Sequence, residues 1–197
     1  MDAGRCESPG LYDIWWNAEN RVVIAAKGAI EAVVRAMGAH ESSAGVQVAG
    51  CSSLLNLALN AENRAAIGTH GGIEAVVRAM TAHGSSEEVQ ENGCAALINL
   101  AFDARNQVAI AGKGGTEAVV RAMAAHESSV KVQEAGCGAL AKIVLWESGL
   151  HSEVLEAAAV PLVKKALSAF PYNWGLQTRG RFFLMKLGAW SAFRFRG

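Results

Sequence analysis

The residues that can do chemistry recur along this chain at one fixed spacing. Three histidines open the words "HESS", "HGSS" and "HESS", and three cysteines each follow a glycine; these are His40, His83 and His126, and Cys51, Cys94 and Cys137. Equivalent positions of stacked helical units lie about 8–10 Å apart. A shared metal ion or a disulfide needs its members much closer together. We therefore expect buried thiols, helix-end histidines and no metal.

Catalytic patterns are missing despite many serine, histidine and carboxylate side chains. No segment arranges a nucleophile, a base and a group that orients the base. The stretch "GKGG" at 112–115 lacks the spacing of a phosphate-binding loop and follows a predicted helix rather than a strand. We expect a protein that is not an enzyme and that uses no cofactor.

The fixed spacing belongs to an internal repeat of 43 residues. Aligning Asn17, Asn60 and Asp103 superposes "EAVVRAM" at 31–37, 74–80 and 117–123. A repeat of this length indicates a solenoid, in which each unit buries its apolar face against its neighbours.

Each unit is predicted to contain three helices. The first begins at the aligned Asn or Asp, whose side-chain oxygen can accept an orphan N–H, and ends at glycine. The second, "GIEAVVRAMTAH", has an apolar face and an opposite face on which Glu74 and Arg78 stand four apart. We expect an exposed ion pair there, as for Glu31 with Arg35 and Glu117 with Arg121. The segment "HGSSEE" ends that helix and caps the third.

The third helix, "EEVQENGCAALINLAF", is the longest of the unit. Its apolar stripe includes Val89, Cys94, Leu97 and Leu100. The third helices of the three repeats contain Gly50, Gly93 and Gly136, and glycine inside a helix lowers its stability. Their recurrence predicts a close backbone approach between third helices.

The unit resembles an armadillo repeat. The segments "NRAAIGTHGGIEAVVRAM" and "VQENGCAALINLA" carry the resemblance, which extends from about Asn17 to Leu145. It implies an all-α fold, a right-handed α-α superhelix of the armadillo type. HEAT repeats are the near alternative, disfavoured because they have two helices and lack the short first helix that ends in glycine.

We predict one armadillo-repeat domain over residues 1–197. It comprises a partial repeat (1–16), full repeats (17–59, 60–102 and 103–145), a divergent capping repeat (146–188) and a basic tail (189–197). A shift of 130 positions places Gln177, Leu184 and Leu187 on Gln47, Leu54 and Leu57, which identifies the capping repeat. The start corresponds to the end of a third helix, as though the chain were cut from a longer array.

The resemblance implies a concave groove along the third helices that binds extended segments of partner proteins. In the nuclear-import adaptors of this family, an asparagine bonds the peptide backbone and a tryptophan four residues earlier forms a pocket. Asn56 and Asn99 match the asparagine, whereas Ser52 and Ala95 replace the tryptophan, so a shallower groove is expected. The candidate partner-binding residues are Gln47, Ser52, Asn56, Gln90, Glu91, Ala95, Asn99, Gln133, Glu134, Lys142 and Lys186.

Charge is unevenly distributed in a chain of zero formal net charge. After Glu156 there are seven basic residues and no acidic one. The asparagine positions of successive units read Asp13, Asn56, Asn99, Lys142 and Lys186, from acidic to basic. One hypothesis is that the groove selects a segment that is basic toward the N-terminal repeats and acidic toward the C-terminal ones. The alternative is that the asparagines tie neighbouring helix ends together and the lysines are solvated.

These patterns predict a non-catalytic scaffold that binds a protein or peptide in extended conformation, with no small-molecule substrate. One alternative is a regulatory armadillo fragment of a larger protein that binds a small metabolite or its own catalytic domain. Another is attachment to nucleic acid or membrane through the basic end "RGRFFLMKLGAWSAFRFRG", although zero net charge makes nucleic acid a less favoured partner. No apolar stretch reaches the roughly 18 residues of a transmembrane helix, and no signal peptide is evident. We expect an intracellular protein, cytoplasmic, nuclear or both.

Overall fold

The computed structural model describes residues 18–144 and 153–188. Within these ranges the chain forms eleven α-helices and no strand. They are α1 (Ala18–Ala26), α2 (Ala29–Ala39), α3 (Ala44–Leu57), α4 (Ala61–Thr69), α5 (Gly72–Ala82), α6 (Glu87–Leu100), α7 (Ala104–Gly112), α8 (Gly115–Ala125), α9 (Val130–Val144), α10 (Glu153–Ala169) and α11 (Trp174–Lys186). The all-α prediction is confirmed, whereas the partial repeat 1–16, including Asp13, and the basic tail 189–197 lie outside the described residues.

In the repeats 60–102 and 103–145, the first helix begins and ends where the sequence predicts. The Oδ1 of Asn60 accepts the backbone N–H of Asn63 at 2.9 Å, and Asp103 accepts the N–H groups of Arg105 and Asn106. A glycine in the left-handed region then separates the first helix from the second, with φ of 79° at Gly71 and 75° at Gly114. A side chain is strained at such φ values, which is why glycine stands at this turn.

A serine starts the third helix of each of the three full repeats. The Oγ of Ser43, Ser86 and Ser129 accepts the backbone N–H three residues later, at 3.2–3.4 Å. The preceding histidine is the C-cap of the second helix. The predicted boundary between the second and third helices is therefore confirmed in all three units.

The helices pack in series. Third helices α3, α6, α9 and α11 lie side by side, and second helices α2, α5, α8 and α10 form a neighbouring row. Between the rows lies one continuous apolar core, which includes the fully buried Leu54, Leu97, Leu140 and Leu184. Each unit thus completes its core with residues of its neighbours, as the repeat predicts.

The glycines inside the third helices have a different packing role from the one predicted. A Cβ on Gly93 would lie 2.5 Å from Cγ of Met80, and one on Gly50 would lie 2.4 Å from Cγ of Met37. The group that needs the space is thus a methionine of the second helix, not the backbone of another third helix. The prediction that these glycines serve a close backbone approach between third helices is wrong for this reason.

The exposed charges of the second helices pair between units rather than within one helix. Glu74 contacts Lys113 of the next unit, and Arg78 Nε lies 3.2 Å from Glu41 Oε1 of the preceding one. The predicted pair of Glu74 with Arg78 is therefore wrong, because both side chains find partners across the stacking interface. Glu31 follows the same rule and reaches His70 at 3.1 Å.

Candidate partner-binding groove

A pocket of about 340 Å³ opens on the third-helix row between α6 and α9. Its walls include four of the predicted partner-binding residues: Glu91, Ala95, Asn99 and Glu134. The remaining lining residues are Leu55, Ile98, Lys131, Ala135 and Arg179. We call the surface of α3, α6, α9 and α11 around this pocket the third-helix groove.

Asn99 joins two third helices and keeps hydrogen-bonding capacity for a ligand. Its Nδ2 donates to the backbone carbonyl of Leu55 on α3 at 3.0 Å. A primary amide has two N–H donors and a carbonyl acceptor. One donor and the acceptor therefore remain at a side chain that is only partly buried. This geometry is compatible with both hypotheses for Asn99, a tie between neighbouring helices and a contact with a bound peptide. The tie uses only one of the two N–H donors of the amide.

Asn56 and Ser52 lie on α3 and are half-buried. By the 43-residue repeat, the carbonyl that would accept from Asn56 belongs to residue 12, which lies outside the described residues. Neither side chain lines the pocket between α6 and α9.

The three glutamines predicted for the groove lie in the interior. Gln47, Gln90 and Gln133 are at most 2 % exposed. Gln90 Nε2 donates to the carbonyls of Met80 and His83, each at 2.9 Å, and the other two repeat this arrangement. Because these carbonyls close the second helix, the glutamines are occupied in holding the unit together and are not accessible to a partner. Their assignment to partner binding is corrected accordingly.

The divergent capping repeat contains the same arrangement of a glutamine side chain and two backbone carbonyls. Gln177 Nε2 donates to the carbonyls of Leu167 and Phe170 at 2.7 and 3.1 Å. These three residues are the counterparts of Gln47, Met37 and His40 under the 130-residue shift. Helices α10 and α11 therefore pack as the second and third helices of a further unit.

The acidic residues of the groove have basic partners within the protein. Glu134 Oε1 lies 3.1 Å from Arg179 Nη1, and Glu91 Oε2 lies 3.7 Å from Lys131 Nζ. Such partly exposed pairs are weak, on the order of 0–1 kcal/mol. They nevertheless offset the negative charges of Glu91 and Glu134, two of the candidate partner-binding residues.

Lys142 and Lys186 contact aromatic rings. Lys142 Nζ lies 3.9 Å from the centre of the Phe102 ring, and Lys186 Nζ lies 5.7 Å from that of Phe182. Lys142 holds on α9 the position that Asn99 holds on α6, so a cation–π contact stands where Asn99 has a hydrogen bond from its side chain to the backbone carbonyl of Leu55. The hypothesis that the lysines are merely solvated is incomplete for this reason.

The repeated cysteines and histidines have packing roles. Cys51, Cys94 and Cys137 are fully buried, as predicted, and burial raises the pKa of each thiol to about 12. His83 Nε2 lies 2.7 Å from the carbonyl of Glu41 in the preceding unit. In the described part of the chain, no three histidine, cysteine or acidic side chains are grouped so that they could hold a metal ion.

Sequence reasoning missed several groove residues. Lys131 and Arg179 are the cationic partners of the groove, and Phe102 is 57 % exposed beside Lys142. Arg179 follows Ala135 by one unit in the divergent alignment, but Ala135 is not itself assigned to the groove, so the repeat gives no signal for Arg179. Phe102 gives no signal either, since a phenylalanine that ends a helix is usually part of a core.

Among residues 18–144 and 153–188, none of the helices has both the length and the apolarity needed to cross a membrane. Comparison of the chain with family models, with curated proteins and with solved structures found no match.

Proposed function

We propose that the chain is an armadillo-type right-handed superhelix and a non-catalytic scaffold that binds an extended segment of another protein along the third-helix groove. The observation that supports this most directly is the pocket beside Asn99, whose amide keeps one donor and its acceptor for a ligand. The side-chain amide can donate to and accept from the backbone of one extended residue.

The dimensions of the row suit an extended segment. Third helices of neighbouring units pack about 8–10 Å apart, and an extended chain rises about 3.3 Å per residue. Each unit therefore spans roughly two to three residues of a ligand. With Ala95 at the wall, the pocket accepts a side chain without aromatic stacking.

We place this function inside the cell, in the cytoplasm, the nucleus or both. Three buried cysteines without disulfides are compatible with a reducing compartment.

A second candidate function is supported by the size of the pocket. About 340 Å³ falls in the range of roughly 300–1,000 Å³ that is typical of small-molecule sites. A regulatory domain that binds a small charged metabolite between Glu91, Lys131, Glu134 and Arg179 would use the same pocket. This candidate predicts stabilisation by the low-molecular-weight fraction of a lysate, whereas the scaffold requires a macromolecule.

The test is a pull-down with the intact chain and with the double variant Asn56→Ala, Asn99→Ala, after helicity has been shown to be unchanged. The control is Ser168→Ala, because Ser168 lies on α10, outside the third helices, and its Oγ donates within its own helix, to the carbonyl of Lys164. We expect a protein that is retained by the intact chain and the control and lost by the double variant. Retention by all three would refute the groove as the binding site.

A further inference from the structure

Two lysine–phenylalanine pairs lie at the C-terminal end of the third-helix groove. Lys142 stands over Phe102 and Lys186 over Phe182. Phe102 and Lys186 are exposed, and Lys142 and Phe182 are half-buried. Neither ammonium group forms an ion pair with a carboxylate in residues 18–144 and 153–188, whereas the cations nearer the pocket do.

The charge balance of the groove therefore differs between its two parts. Around the pocket, Lys131 and Arg179 neutralise Glu91 and Glu134. Beyond it, two ammonium groups carry a positive charge that no described carboxylate cancels. A ring beneath an ammonium group attracts it but carries no net charge, and the remaining N–H donors stay available to a ligand.

We infer, on the basis of the proposed function, that the partner is an acidic polypeptide segment in extended conformation, held by carboxylates on Lys142 and Lys186. An apolar side chain of the same segment packs on the exposed part of Phe102, beside the Arg64 guanidinium, which lies 5.8 Å from the ring centre. The two lysines lie on adjacent third helices, which are about 8–10 Å apart. At about 3.3 Å per residue, the acidic side chains stand roughly two to three positions apart.

A polypeptide fits this surface better than single-stranded nucleic acid. Cations interleaved with aromatic rings are also found where single strands bind. A strand that continued along the groove, however, would bring its phosphates to the adjacent pocket, where Lys131 and Arg179 are already paired with Glu91 and Glu134 and leave no net positive charge for them. A polypeptide can place acidic side chains on the lysines and neutral ones at the pocket, where the Asn99 amide meets its backbone.

The experiment measures fluorescence anisotropy of a fluorescein-labelled peptide of alternating Glu and Ser with the full chain at low salt. The test variant is Lys142→Gln, Lys186→Gln, and Lys142→Arg, Lys186→Arg is the conservative variant. The matched control is Lys27→Gln, Lys164→Gln, which removes the same charge from positions outside the third helices. Circular dichroism establishes that each variant is folded.

We expect the intact chain to bind the peptide. The glutamine variant should bind it about tenfold more weakly, which corresponds to about 1.4 kcal/mol. The arginine and control variants should bind it nearly as tightly as the intact chain does. Equal weakening by the control would overturn the proposal, since the attraction would then come from overall charge. Binding of a matched Lys-Ser peptide in place of the acidic one would overturn it too.

Oligothymidylate serves as the nucleic-acid probe. If it binds through Lys142 and Lys186 while the acidic peptide does not, the surface recognises phosphates and the inference is wrong. The pull-down separates this inference from the proposed function. A protein lost with the Asn56, Asn99 variant but kept by the glutamine variant leaves the groove in place and refutes only the acidic character of the ligand.

Discussion

Replacing the buried Gln90 by methionine tests whether the glutamine row holds the units together. Met80 lies in the last turn of α5, where a helix leaves its carbonyls without partners from the same helix. Gln90 Nε2 donates to this carbonyl and to that of His83, both at 2.9 Å. Methionine has nearly the same length and good helix propensity, so Gln90→Met removes the two donors and leaves the packing largely intact.

The magnitude follows from those two bonds. A net hydrogen bond contributes about 1 kcal/mol, and a buried acceptor left without a partner costs about 1–3 kcal/mol. His83 O also accepts the N–H of Ser86, so it is not left without a partner. The expected loss in the free energy of unfolding is therefore about 2–4 kcal/mol.

The assay is urea unfolding followed by circular dichroism, with the m-value checked for a change in cooperativity. Asn92→Ala is the control on the same helix, because its amide is exposed and serves only α6; its cost should stay below about 0.5 kcal/mol. A loss below about 0.5 kcal/mol for Gln90→Met would refute the structural role. If Gln90→Met were as stable as the intact chain but no longer retained the bound protein in the pull-down, Gln90 would be a partner-binding residue.

Two further predictions concern the core. Gly93→Ala should lower the free energy of unfolding by about 1–2 kcal/mol in urea titrations, because overpacking against Met80 at 2.5 Å costs more than the roughly 1 kcal/mol that alanine adds to a helix. Gly45→Ala in α3, where a Cβ meets nothing within 4 Å, should be neutral or stabilising, and an equal loss at both sites would contradict this packing explanation. The buried thiols, whose pKa is raised to about 12, make stability fall as pH rises from about 9 toward 12, since the unfolded chain releases thiol protons that the folded chain keeps. Each thiol changes the free energy of unfolding by at most about 1.4 kcal/mol per pH unit in that window and by nothing below it. Cys94→Ala should therefore flatten the slope of the free energy of unfolding against pH. An unchanged slope would contradict the role of the buried thiol in this pH dependence.

Local patterns predicted the helices well because their causes lie within a few residues. The caps at Asn60 and Asp103 and the serine caps of the third helices are hydrogen bonds between residues two or three positions apart. The left-handed glycines depend on the conformation of a single residue. The apolar stripes identified the core, because a repeated face can be buried only against its neighbours. The proposed binding function and the limits of the domain stay predictions.

Contacts between units could not be read in the same way. Glu74 and Arg78 stand one helical turn apart, yet each pairs across the stacking interface, because side chains of the neighbouring unit approach them there. Glu91 and Glu134 likewise meet cations supplied by the next helix of the row. Spacing within one helix could not reveal these partners.

The sequence by itself determined the repeat, the helical class, the caps and the apolar stripe, since each depends on residues near one another in the chain or on exact repetition. Only the tertiary structure decided that Gln90 points inward, that Gly93 makes room for Met80, and that Lys142 stands over Phe102. The physical reason is that the rotation of each helix about its axis is set by packing against its neighbours. The sequence alone therefore does not show whether a polar residue at the edge of an apolar stripe faces the core or the solvent.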